Sequence, residues 1–95
     1  MATLKKQPSP ATFRTFGRHL QEDLHIAGIE AKIKTETVAG TKLRRVAVLS
    51  PNFKKVRFTE RQEIVWRIAR QRLKPEDQLK ISMFLTLTPD EVKGG

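Results

Sequence analysis

Apolar positions recur with two different periods along this 95-residue chain. Phe13, Phe16, Leu20 and Leu24 stand three or four apart, the spacing that puts side chains on one face of a helix. Ser9 as cap, Pro10 in the first helical position and Gly28 as a stop predict a helix over about residues 10–27. Ile29, Ala31 and Ile33 then alternate with Glu30, Lys32 and Lys34, the period of a half-buried strand. A turn at Ala39–Gly40 and a second strand from Leu43 to Leu49 predict an antiparallel hairpin.

A second helix is predicted over 59–73, with Thr59 and Gln62 in a capping-box pattern and Val65, Ile68, Ala69 and Leu73 as its buried stripe. Pro75 interrupts it, because a proline inside a helix loses a hydrogen bond and clashes with the preceding turn. "PEDQL" predicts a further short helix with acids at its positive end. Ile81, Met83, Leu85 and Leu87 alternate with Ser82, Phe84 and Thr86, a third strand. "TPDEV" opens a last helix, with Thr88 as cap and Glu91 in its first turn. The order is α-β-β-α-(α)-β. A helical crossover between strands two and three makes them parallel if they are neighbours. The predicted class is α+β, a three-stranded mixed sheet with helices on one face. Residues 1–8 read as a flexible basic tail and 9–95 as one domain.

A chain this short hides only about 60–65% of its unfolded surface, so one thin core is expected rather than a deep enclosed active site. Its charge changes the picture more. Lys and Arg outnumber acids 19 to 10, for a net charge of +9. Residues 29–58 hold eight of the cations against Glu30 and Glu36 alone. A field of that sign favours polyanions. The absence of cysteine removes disulfides, thiolate catalysis and cysteine-ligated clusters built by this chain alone. The opening "MATLKKQPSP" lacks a secretory apolar stretch, and no run is long enough to cross a bilayer. A cytoplasmic protein with no membrane partner is the expectation.

The connection "SPNFKKVRF" sets Lys54, Lys55 and Arg57 beside two rings just before a helix N-terminus, whose free N–H groups favour anions. These three form a candidate anion-binding collar for nucleic acid, DNA or RNA, and Arg61 joins the candidate anion-binding set. Phe53 is its candidate stacking face, and Phe58 is read as an anchor to the core. Arg67, Arg70 and Lys74 share one helical face and extend the set. Lys32, Lys34, Arg44 and Arg45 make a third basic group on the hairpin. His19 and His25 are six apart, the wrong spacing for a shared metal, and Trp66 is read as core. No acid pair has the placing of a catalytic dyad, so neither an enzyme nor a metal or other cofactor is expected.

Ser50, Phe53, Lys55, Arg61-Gln62 and Trp66, with "TLTPDEV" near the C-terminus, give the chain a pattern that resembles the BolA-like family, whose fold is akin to the type II KH domain. The resemblance is detailed over residues 46–92. It implies a regulatory, non-catalytic binding protein, and as the alternative an adapter that docks a monothiol glutaredoxin in iron–sulfur trafficking. The chain departs from the family at the ligand positions. Lys80 stands where many members carry a cluster-binding His, and residues 37–42 hold neither His nor Cys. Gln62 replaces the helix-opening His, and Lys55 a Gly. The protein alone is therefore expected to bind no [2Fe–2S] cluster.

Overall fold

The computed structural model describes residues 13–94, so the predicted cap at Ser9–Pro10 and the tail over 1–8 lie outside the described residues. The elements are α1 (Phe13–Ile26), β1 (Lys32–Thr37), β2 (Arg44–Leu49), a 3-10 turn (Pro51–Lys55), α2 (Phe58–Arg72), α3 (Pro75–Gln78), β3 (Ile81–Leu87) and α4 (Pro89–Gly94). The sheet order is β1-β2-β3, antiparallel between the first pair and parallel between the second. The expected α+β class, strand directions and helical crossover are all present.

Local chemistry explains most boundaries. Gly28 takes φ +87°, and its N–H and that of Ile29 reach back to the carbonyls of His25 and Leu24 at 2.9 and 2.8 Å. This paired closure satisfies two orphan carbonyls of α1 and turns the chain toward β1. Gly40, at φ +77°, lets the hairpin reverse, while Thr41 Oγ1 donates to the Val38 carbonyl at 2.8 Å. α2 stops at Arg72, three residues before Pro75, as the restricted backbone before a proline requires.

One prediction within α2 is corrected. The helix begins at Phe58, and the Glu60 carboxylate, not Gln62, accepts the N–H of the residue before the helix, Arg57, at 3.3 Å. The 3-10 turn delivers Arg57 in an extended conformation, which starts the helix early and leaves Thr59 inside its first turn.

The core lies between the helices and one face of the sheet. Phe16, Leu20 and Leu24 of α1 and Val65, Ile68 and Ala69 of α2 are buried against Val46, Val48 and Phe84. Phe84 sits between the two helices, its ring 6.3 Å from Phe16 and 4.8 Å, edge-on, from Trp66. Such contacts each contribute about 0.5–1.5 kcal/mol beyond area burial.

β3 does not keep the alternation of its sequence. Arg44 pairs with Ile81 but Arg45 pairs with Met83, so Ser82 is an extra residue, a β-bulge, and its hydroxyl donates to the Arg44 carbonyl at 3.1 Å. A one-residue slip moves every later side chain to the opposite face. Ile81 is buried, and beyond the bulge Phe84 and Thr86 are the buried pair while Met83 stands 43% exposed.

Candidate polyanion-binding surface around helix α2

The connection from β2 to α2 is built on Ser50, which is wholly buried and accepts the Asn52 N–H at 3.1 Å on its Oγ. Pro51 opens the 3-10 turn, and Asn52 Oδ1 in turn accepts the N–H of Glu30 at 2.8 Å, tying the turn to the α1–β1 link. This geometry drives Phe53 inward. Its side chain is 0% exposed, against 59% for Phe58. The stacking role expected of Phe53 is therefore corrected: a ring enclosed in the core has no free face for a base. The anchoring role expected of Phe58 is corrected too, because the first turn of α2 points it at solvent.

Arg61 is a third correction. It is 7% exposed, and its guanidinium donates to the carbonyls of Val56 (2.8 Å), Phe53 (2.7 Å) and Thr86 (2.9 Å) and to Glu91 Oε1 (3.0 Å). It also lies 5.5 Å from the Phe53 ring centroid. With four of its five N–H donors committed to backbone and carboxylate and its side chain enclosed, Arg61 is not placed to meet a phosphate. Its role is to join the connection, β3 and α4. Glu91 completes the joint through a capping box, accepting the Thr88 N–H at 2.8 Å while its own N–H donates to Thr88 Oγ1 at 3.1 Å. The Thr88 N–H, and then Arg61, hold the Glu91 carboxyl below the usual carboxylate range.

Gln62 works beside Arg61. Its Nε2 donates to the Phe84 carbonyl at 3.0 Å and to Thr86 Oγ1 at 3.1 Å. Alternate residues of a strand in a parallel pair turn their carbonyls to opposite sides. Leu87 accepts from Ser50 on the β2 side, so the carbonyls of Thr86 and Phe84 face the outer edge. Arg61 and Gln62 thereby cap the open edge of β3, which would otherwise present unpaired acceptors.

The remaining predicted cations are exposed. Lys54, Lys55 and Arg57 surround the start of α2, and Arg67, Arg70 and Lys74 line its C-terminal half and the residues after it. None of the six has a carboxylate partner among the described residues. The two groups do not merge. Helix geometry separates the ends of α2 by about 20 Å, and Glu60 and Glu63 occupy the same outward stripe between them. Arg72 is committed differently: it pairs bidentately with Asp23 of α1 at 2.8 Å on both bonds, and holds that carboxyl below its usual range. This pair walls a groove of about 620 Å³ between α1 and α2, where Ile26 is 82% exposed beside Ile64, Ile68 and Arg67.

No protein-family model and no curated protein matches the sequence. Among solved structures, BolA1 from Arabidopsis thaliana superposes with a TM-score of 0.53 at 18% identity, covering 80% of this chain and 94% of that one. The chain has a BolA-like fold.

Within this BolA-like frame, most of the residues that carried the sequence resemblance prove to be joints, whereas Lys55 is exposed. Ser50, Phe53, Arg61, Gln62 and Glu91 all lie in the network that closes the connection, β3 and α4 on one another. Lys80 is exposed and pairs with Asp77 at 3.4 Å. Nδ1 of His25 contacts Glu30, and no group of three potential metal ligands occurs among the described residues. Among those residues no helix is long and apolar enough to cross a membrane.

Sequence reasoning missed the linking role of Arg61. The signal was Glu91, placed correctly at a helix start, but only the fold brings residues thirty apart into contact.

Proposed function

We propose that this is a non-catalytic, regulatory binding protein, and that its partner is nucleic acid, held by its phosphates through the two cation groups at the ends of α2. The observation that carries the reading is the division of labour among the cations. Arg61, Arg72, Arg45, Lys34 and Lys80 each pair with a carboxylate of the chain. Lys54, Lys55, Arg57, Arg67, Arg70 and Lys74 face solvent without one among the described residues. Cations of this second kind can neutralise phosphates and release condensed counterions. The positive end of α2 reinforces the first group, since the free N–H groups of a helix N-terminus favour an anion.

Among the described residues no exposed ring other than Phe58 stands near the first group, so base stacking is a minor contribution and contacts to the backbone dominate. Phosphate contacts position a ligand without reading its sequence. Binding is accordingly expected to discriminate weakly among sequences.

Fluorescence anisotropy with labelled single-stranded RNA, single-stranded DNA and duplex DNA at low salt is the test. Binding is expected to weaken in both Lys54→Gln/Lys55→Gln/Arg57→Gln and Arg67→Gln/Arg70→Gln/Lys74→Gln. Affinity unchanged in both triple variants would remove α2 as the interface. Glu63→Gln, which takes a negative charge out of the stripe between the groups, is expected to tighten binding.

A further inference from the structure

The β-bulge at Ser82 has a consequence on the far side of the sheet. Val46, Val48, Phe84 and Thr86 are buried under the helices. Their alternates Ala47, Leu49, Leu85 and Leu87 are only half-buried, and with Met83 they form a two-strand column on the face that carries no helix. The register sets them in rows: Arg45 against Met83, Ala47 against Leu85, Leu49 against Leu87. On β1 the same face continues as Lys32 beside Leu49 and Lys34 beside Ala47. The outer face is thus an apolar strip with a basic border. Glu36 is the border's acid, 3.7 Å from Lys34 and 3.6 Å from Arg45, which leaves Lys32 without a carboxylate among the described residues and the border net positive.

We infer that this face docks an acidic amphipathic helix of a partner protein, apolar side down and carboxylates toward Lys32 and Lys34. Charge and size select that occupant. Strand spacing and rise make the strip about 10 Å by 14 Å, the footprint of about two turns of one helix. A second copy of this chain, itself strongly basic, would set one positive border against another and fits poorly. Residues 1–12 of the same chain carry Lys5 and Lys6 and no acid, so they repeat the border's charge rather than complement it. A helix laid on the strip buries Met83 and Leu85 and gives Lys32 the carboxylate it lacks. The surface lies across the sheet from the helices, and the inference stands independently of the nucleic-acid reading.

The test uses the full 95-residue chain, isotope-labelled for NMR, and a synthetic 18-residue helical peptide with Leu at positions i, i+3, i+4 and i+7 and Glu on both flanks. Shift changes are expected at Ala47, Leu49, Met83, Leu85 and Leu87, with those of α2 unmoved. Lys32→Glu/Lys34→Glu, at exposed positions that leave the core untouched, is expected to weaken binding about fivefold to tenfold, as the loss and reversal of exposed ion pairs would. Replacing the peptide's Glu by Lys should weaken it likewise. The inference is overturned if the Lys-flanked peptide binds equally well, or if the shifts fall on α2. It is overturned equally if the strip responds only to self-association, to vesicles containing phosphatidylserine, or to RNA.

Discussion

Helix α2 carries arginines that do opposite work within three turns of each other. Arg61 points inward, is almost wholly enclosed, and spends its guanidinium on three carbonyls and Glu91. Arg67 and Arg70 point outward and have no carboxylate partner among the described residues. The sequence makes them look alike, and its spacing places both kinds in one candidate anion-binding set. What separates them is the period of the helix. Arg61 falls four before Val65 and seven before Ile68, on the buried stripe, whereas Arg67 and Arg70 fall opposite it. A cation on the apolar stripe must be paired, because an isolated charge cannot be buried, and its partners then fix neighbouring elements. A cation on the polar face is free to meet something else.

Removing Arg61 should therefore do the most damage. Arg61→Leu leaves the carbonyls of Phe53, Thr86 and Val56 without their donor, and each buried acceptor left unsatisfied costs about 1–3 kcal/mol. Since domains are stable by only about 5–15 kcal/mol, a urea or thermal melt should show severe destabilisation. A melt within about 1 kcal/mol of the parent would mean that Arg61 is not a joint.

The two rings of the connection sharpen the same contrast. Phe53→Ala should cost about 3–5 kcal/mol as a core truncation, and Phe58→Ala should stay within about 0.5 kcal/mol as a surface change. Phe84→Ala and Met83→Ala should differ in the same sense, which tests the bulge. Equal costs for Met83 and Phe84 would put both residues on half-buried faces and contradict the register.

This is also where legibility in the sequence ended. Element order, strand direction, the Gly28 stop, the stripe of α2 and the Thr88–Glu91 cap could all be read, because each depends on residues close together along the chain. The phase of β3 could not. Ile81, Met83, Leu85 and Leu87 form a perfect alternation, and nothing in it announces that Ser82 is left out of the pairing with β2. Phe53 and Phe58 exchanged roles for a related reason: a 3-10 turn lies between β2 and α2, and neither period of two nor period of 3.6 applies across it. Of the candidate site, the exposed cations were legible from composition and helical spacing. Arg61 was not, since its main partners come from the turn before it and from β3 and α4.

A smaller effect should appear with pH. Both Glu91 and Asp23 have carboxyls held below their ordinary range in the folded state, by Thr88 with Arg61 and by Arg72 respectively. The unfolded chain therefore takes up protons first as the pH falls. The stability these groups contribute is complete above the ordinary carboxylate range and lost progressively below it. Urea midpoints from pH 7 to pH 3 should decline at the acid end, and the decline should be shallower in Glu91→Gln and in Asp23→Asn. An unchanged profile in both variants would show that neither ion pair is linked to folding.

The smallest change in stability belongs to the outward cations, and it accompanies the largest expected change in binding. Lys54→Gln/Lys55→Gln/Arg57→Gln should leave the melt nearly unmoved, within about 0.5 kcal/mol for each exposed substitution. The decisive measurement is the slope of log affinity for nucleic acid against log salt, for the parent chain and for this triple variant. Each phosphate contact contributes about 0.7 to 0.9 to that slope. The account predicts binding at low salt that weakens steeply as salt rises, and a slope about two to three units flatter in the triple variant. Lys32→Gln/Lys34→Gln, on the far face of the sheet, should leave the slope nearly as it was. No binding of DNA or RNA at low salt, or an equal flattening by the far-face variant, would contradict the claim that the cations around α2 form the interface.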